Sequence, residues 1–226
     1  MISVIIPTLN AAAHLPGVLG ALVPGVTHGL IKQAIVADGG SIDESRDIAD
    51  AAGCEIVSAP KGRARQLIAG AGAARADWLL FLHADTVLAP NWVVEAERFI
   101  AGSQAEMRAA AFRFAFDDMS APARRVAFWA RLRGRVLKLP YGDQGLLISR
   151  AFYDALGGYR PLDLMEDVDL VRRIGARRLK FLDADAVTSA DKYRRDGFQR
   201  RAWRNLALVA RYFMGADPSE LAKAYD

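Results

Sequence analysis

Leu79-Leu80-Phe81-Leu82-His83-Ala84-Asp85-Thr86 is an apolar run that stops at one carboxylate. Such a run reads as a strand buried on both faces, the kind found in parallel sheets. Two further runs, Ile2-Ser3-Val4-Ile5-Ile6-Pro7-Thr8 and Ile35-Val36-Ala37-Asp38-Gly39-Gly40-Ser41, likewise end in polar, turn-forming clusters. Parallel sheets place ligands in the crevice beyond the carboxyl ends of their strands. Three such endings imply one shared edge, with Asp85 on it.

Working outward, apolar runs alternate with amphipathic segments. Strands are predicted over 2–7, 33–37, 54–58 and 78–83, and helices over 14–22, 43–52 and 63–75. This βαβ rhythm predicts an α/β fold with a mostly parallel central sheet, flanked by helices and joined by right-handed crossovers. Asp43 is placed to cap the second helix, with Glu44 and Asp47 in its first turn near the positive end of the dipole. Beyond residue 90 the rhythm changes. Helices are predicted over 91–100, 122–137, 166–174 and 198–214, strands over 145–149 and 179–182, and an exposed-edge strand over 108–116. No repeat or Gly-, Ser- or Pro-rich linker interrupts the chain, so 1–226 reads as a single domain.

With 226 residues, 52% of them hydrophobic, the chain has ample material for one continuous core and is not a disordered protein. The sole cysteine, Cys54, excludes an internal disulfide and a Cys-based zinc site, and reads as a small buried hydrophobe. No charged side chain precedes Lys32, but Pro7, Asn10, Pro16 and Pro24 break the stretch and it lacks a basic leader. A spanning helix needs about 20 apolar residues. A cytoplasmic protein is expected, either soluble or attached to the inner face of the membrane. The net charge of +4 is unevenly spread. Arg124, Arg125, Arg131, Arg133, Arg135 and Lys138 occur without an intervening acid, and a second cluster runs from Lys192 to Arg211. Such patches suit an anionic partner as well as an ordinary solvated helix face.

Four segments carry groups suited to chemistry. Asp38-Gly39-Gly40-Ser41-Ile42-Asp43 combines an acid, two permissive glycines and a hydroxyl, which can hold a nucleotide or simply turn the chain. His83-Ala84-Asp85 offers a hard oxygen ligand for magnesium or manganese, with diphosphate oxygens and water to complete the shell. Lys61-Gly62-Arg63-Ala64-Arg65-Gln66 offers cations and amides at a helix start. Met165-Glu166-Asp167-Val168-Asp169 sets three acids ahead of a helix, where they can act as a general base or serve the helix dipole.

The order of these pieces resembles that of the family 2 glycosyltransferases, inverting enzymes of the GT-A fold. Ile2 to Asn10 looks like the family's opening strand, Asp38 to Asp43 like its second nucleotide contact, Leu82 to Thr86 like its DxD metal motif, and Glu166-Asp167 like its ED motif. The resemblance implies a nucleotide-sugar half over 1–89 and an acceptor half over 90–226. It assigns Pro7, Thr8, Asn10, Asp38, Gly39, Ser41, Arg63, Ala84 and Asp85 to the donor, and Asp85 to a divalent cation, Mn2+ or Mg2+. Glu166 and Asp167 become the catalytic pair, with Asp167 the base. Gln144, Arg201 and Trp203 are acceptor-side candidates. More narrowly, Lys61 to Gln66, Phe81 to Thr86 and Tyr141-Gly142-Asp143-Gln144-Gly145 resemble the bacterial rSAM/selenodomain-associated transferases.

Several departures stand out. His83 replaces the first aspartate of the metal motif, Ala11 and Ala12 replace common acids, and Ile68 replaces a common asparagine. Gln199 to Trp203 only loosely follows the QxxRW element of processive synthases. The implied partners are a nucleoside-diphosphate-sugar donor and a lipid-linked or phosphorylated acceptor, with membrane contact but no nucleic acid. The rival readings are a nucleotidyltransferase, against which Pro7 to His14 lacks both glycine and a Lys or Arg, and a non-catalytic nucleotide-sugar-binding protein.

Overall fold

The computed structural model describes residues 1–137 and 139–225. Its first half follows the expected alternation: β1 (Ile2–Thr8), α1 (Leu15–Thr27), β2 (Ile31–Asp38), α2 (Ser45–Ala51), β3 (Glu55–Ser58), α3 (Arg63–Ala73) and β4 (Trp78–Phe81). Next come β5 (Thr86–Leu88), α4 (Trp92–Ile100), β6 (Ala109–Phe116), α5 (Ala121–Leu137), β7 (Leu146–Ser149) and α6 (Arg150–Ala155). The chain ends with α7 (Glu166–Ile174), β8 (Leu179–Thr188), α8 (Asp191–Asp196), α9 (Phe198–Phe213) and α10 (Pro218–Tyr225).

All strands join one eight-stranded sheet in the order β3-β2-β1-β4-β7-β6-β8-β5. β1 runs parallel to β2 and β4, β2 to β3, and β6 to β8, whereas β7 is antiparallel to β4 and β6. Alternating side chains fill both faces, as the period of two requires. Ile2, Val4, Ile6, Leu80 and Leu82 pack with Trp92 and Phe112 in one cluster, and Ile5, Ile35, Leu79, Phe81 and Ile148 in another. Helix α3 lies so close to β1 that a Cβ on Gly70 would stand 2.4 Å from Cγ2 of Ile5.

Several expectations need correction. Residues 109–116 are not an exposed edge: β6 lies between β7 and β8 and is almost wholly buried. Within it, Arg113 meets Asp185 at 2.8 Å and also pairs with Asp183. Helix α1 does not stop at 22 but runs through Pro24 to Thr27, and Gly25 beside that proline packs against Trp92, where a Cβ would lie 2.6 Å from the ring. Strand β8 extends six residues past the expected end at Leu182. Short β5, α6, α8 and α10 had no expected counterpart. Asp43 accepts the Ser45 amide at 3.1 Å, and its other oxygen takes the Ala12 amide at 3.0 Å. Cys54 is half-buried against the core. Lys138, part of the expected basic helix, lies outside the described residues. No described helix is long and apolar enough to cross a membrane.

Candidate active site

The loops leaving β1 and β2 are laced together. Asn10, in the left-handed region at φ 50, accepts the Ile42 amide at 2.9 Å through its side chain, while its own amide donates to Oγ of Ser41 at 3.0 Å. Buried Gln66 on α3 donates to the Thr8 carbonyl at 2.6 Å and the Ala37 carbonyl at 2.9 Å, fastening both strand ends. A Cβ on Gly39 would sit 3.0 Å from that amide, so glycine is required there by space. Asp38 is 1% exposed and accepts Arg46 at 2.9 Å and the Ser41 amide at 3.1 Å. Burial tends to raise its pKa, but hydrogen bonds from Ser41, Arg46 and Gly40 outweigh that and hold it below the usual range.

Beside these loops a cleft of about 810 Å³, mouth included, is lined by Arg63, His83, Asp85, Asp167, Lys192 and Arg201, among others. Asp85 stands on the turn between β4 and β5. Its carbonyl accepts the Ser189 amide at 3.0 Å, and Thr86 and Thr188 join their hydroxyls at 2.9 Å across the β5–β8 ladder. Asp167, in the first turn of α7, receives the Gly142 amide on Oδ2 at 2.6 Å and the Val168 amide on Oδ1 at 2.7 Å. Residues separated by most of the chain thus converge on one hollow.

Burial is the main cause that moves the His83 pKa down, to about 4, with Arg63 adding to it, so the imidazole is neutral at physiological pH. Asp143 is pushed the other way, to about 7, chiefly by burial, with the Asp167 and Asp85 charges adding to it. Its Oδ1 and the Tyr141 hydroxyl are buried without a hydrogen-bond partner. Buried polar atoms are nearly always bonded, so these two mark where a ligand or water would find partners. The Asp85 carboxylate is a hard oxygen donor, and among the described residues no group of three His, Cys, Asp or Glu could hold an ion. That donor set fits a magnesium- or manganese-type ion carried in with diphosphate oxygens and water, and does not fit a closed protein cage.

Of the residues singled out from sequence, the cleft brings together Arg63, Asp85, Asp167 and Arg201. Pro7, Thr8, Asn10, Asp38, Gly39, Ser41 and Ala84 lie outside its lining, at or beside the strand ends. Glu166, 1% exposed, stands behind Arg63 and pairs with its Nε. Two acceptor-side candidates, Gln144 and Trp203, lie outside the lining of this cleft. Gln144 is 1% exposed, donates to the Phe112 carbonyl at 3.0 Å and accepts the Tyr141 amide, so it braces the turn at 142–144. Trp203 is 71% exposed on the outer face of α9; two residues on from Arg201, it points roughly opposite to the buried face that carries Arg201. Lys192, Asn205 and Tyr225 line the cleft but carried no individual signal in the sequence.

A family model described as glycosyl transferase family 2 matches residues 3–150. Among solved structures, glucosyl-3-phosphoglycerate synthase from Mycobacterium tuberculosis, bound to Mn2+, UDP and glucosyl-3-phosphoglycerate, is similar with a TM-score of 0.63 at 20% identity. The match covers 91% of this chain and 78% of that one. The same enzyme with Mn2+, UDP-glucose and glycerol 3-phosphate gives a TM-score of 0.62 at 20% identity, over the same shares of the two chains. The architecture is that of these GT-A enzymes. Comparison with curated proteins gives no match. With the family model covering well over half of its length, the chain belongs to glycosyl transferase family 2.

Proposed function

We propose that this glycosyltransferase moves a sugar from a nucleoside-diphosphate donor to an acceptor hydroxyl with inversion at the anomeric carbon. The observation that carries the reading is that Asp85 and Asp167 line one cleft. Asp167 takes the proton of the attacking hydroxyl as the acceptor oxygen bonds to the anomeric carbon. The bond from that carbon to the donor phosphate breaks, and the nucleoside diphosphate leaves with the electron pair. Gly142 and Val168 amides hold the carboxylate at the cleft wall throughout. A divalent cation on Asp85 would offset charge growing on the departing diphosphate. The strand-end loops, with Pro7, Thr8, Asn10, Asp38, Gly39 and Ser41, form the donor's base and ribose side. The similar mycobacterial structures, with Mn2+, UDP-glucose and phosphorylated acceptors, support both the donor class and an acceptor that carries phosphate.

A membrane surface is the proposed setting. Phe128, Trp129, Leu132 and Val136 form an exposed stripe on α5, and Trp203, Leu206, Phe213 and Met214 one on and just after α9. Residues 122–138 and 197–216 contain no acid, so the helices that carry the stripes bring only cations of their own. Exposed aromatics among arginines complement an anionic bilayer, which supports a setting at its cytoplasmic face.

The test is a thermal-shift panel of nucleoside diphosphates and their sugars with and without manganese, followed by transfer assays of Asp167→Asn. Native-state binding raises stability. The variant is expected to keep donor affinity near normal and to lose about 100-fold or more of transfer. Substantial transfer by Asp167→Asn rejects it as the base, and no stabilisation by any donor rejects the function.

A further inference from the structure

The cleft is lined by three cations, Arg63, Lys192 and Arg201, and they are not equivalent. Arg63 is held by Glu166, and Arg201, 4% exposed, by Asp196 and by the Tyr225 hydroxyl at 3.0 Å. Lys192, near the start of α8, makes no ion pair or hydrogen bond through its side chain among the described residues. It is exposed at the cleft, and its charge reaches His83, two residues from Asp85.

Its position is fixed by backbone rather than by side chains. The Ser189 amide donates to the Asp85 carbonyl at 3.0 Å, and Thr188 pairs with Thr86 in the β5–β8 register. The start of α8 is therefore tied to the turn that carries Asp85. Asp85, Asp143 and Asp167 give this region three carboxylates, which repel a diphosphate unless cations intervene.

Resting on the transferase reading above, we propose that Lys192 is a catalytic residue that contacts the β-phosphate of the donor and stabilises the diphosphate as it leaves. A lysine ammonium is a compact charge on a flexible stem, suited to following a phosphate whose charge increases during bond breaking. No new covalent step is involved: the bond broken is that between anomeric carbon and β-phosphate oxygen, and Lys192 keeps its proton. Commitment to the donor rather than to an acceptor phosphate follows from the hydrogen bond that joins the Lys192 segment to Asp85.

The experiment measures binding of UDP, GDP, ADP, CDP and dTDP to the wild-type protein. The tightest diphosphate and its monophosphate are then titrated against Lys192→Ala and Lys192→Arg, and donor-sugar hydrolysis is followed for all three proteins. Lys192→Ala is expected to bind the diphosphate on the order of tenfold more weakly, as loss of a charge-assisted hydrogen bond implies. Its affinity for the monophosphate should be unchanged, its kcat for hydrolysis should fall further than its KM rises, and Lys192→Arg should recover most of the loss. Equal diphosphate affinity in Lys192→Ala and wild type overturns the assignment, as does an equal loss for diphosphate and monophosphate. If the wild type binds none of the diphosphates, the transferase reading fails first and the role of Lys192 with it.

Discussion

The Gly142 amide donates to Oδ2 of Asp167 at 2.6 Å, and a Cβ on Gly142 would lie 2.6 Å from Nε2 of His83 and 3.2 Å from the same carboxylate oxygen. The turn at 142–144 is therefore wedged between His83 and the first turn of α7, and it is the approach to His83 that leaves no room for a Cβ. Gly142→Ala must push His83 or Asp167 aside. Overpacking of this kind costs about 1–3 kcal/mol. Donor affinity measured by titration should change little, while transfer should fall by at least tenfold, since a displaced base is a misoriented one.

Asp143 and His83 give the ligand-free protein opposing pH dependences. Asp143 has a folded pKa of about 7, above the 3.8 of an ordinary aspartate. The folded state therefore binds the extra proton between these values, and stability falls as pH rises through that window. His83 has a folded pKa of about 4, below the usual 6.5, so the unfolded state binds the extra proton and stability rises over pH 4 to 6.5. The two slopes largely cancel in the wild type and become visible by difference. Denaturant melts of Asp143→Asn against wild type should show the variant gaining relative stability from about pH 4 to 7, by no more than roughly 1.4 kcal/mol per pH unit. A flat difference curve would contradict the buried, ligand-facing position of Asp143.

Gln144 is a brace, and its loss should be read in melting rather than in kinetics. Gln144→Ala leaves the Phe112 carbonyl and the Tyr141 amide without their partner. The expected cost is about 1–3 kcal/mol, seen as a lower Tm, with KM for the acceptor unchanged at temperatures where the variant is folded. A selective rise in acceptor KM would return Gln144 to the binding site.

Trp203 separates membrane docking from chemistry. Because it is 71% exposed and outside the cleft lining, Trp203→Ala should keep its Tm and its rate on a soluble donor. Flotation with vesicles containing anionic phosphatidylglycerol should fall several-fold relative to wild type, and more so for Trp129→Ala combined with it. Absence of flotation by the wild type would leave the two stripes as plain surface.

The fold of the first half was legible because its signals are local. Apolar runs ending in Thr8, Asp38 and Asp85 are strand ends whatever else the chain does, and the βαβ order leaves few topologies. The second half was harder, because its strands take their partners from far away in sequence. Residues 108–116 looked like an exposed edge, but β6 is covered on both sides, and its Arg113 finds its partner in Asp185, 72 positions later. Gln144 and Arg201 belong to motifs of similar appearance, yet one side chain turns into the sheet and the other towards the cleft. Helix phase and turn geometry decide that, and neither is written in residue type. Lys192 was one cation in a basic tract. What distinguishes it is that, among the described residues, its ammonium makes no ion pair although it lines the cleft.

Strand β8 gives the molecule a property that its order of motifs conceals. The family match ends at residue 150, and every strand of the parallel sheet around β1 is complete by then. Yet the turn bearing Asp85 is moored through β5 to Thr188 and Ser189, near the far terminus. A shortened protein comprising that matched region would still contain the strand-end loops, but with Asp85 untethered. On the proposed transferase reading, the donor and acceptor sides cannot then be separated, because the turn that carries Asp85 takes its anchor from residues far later in the chain.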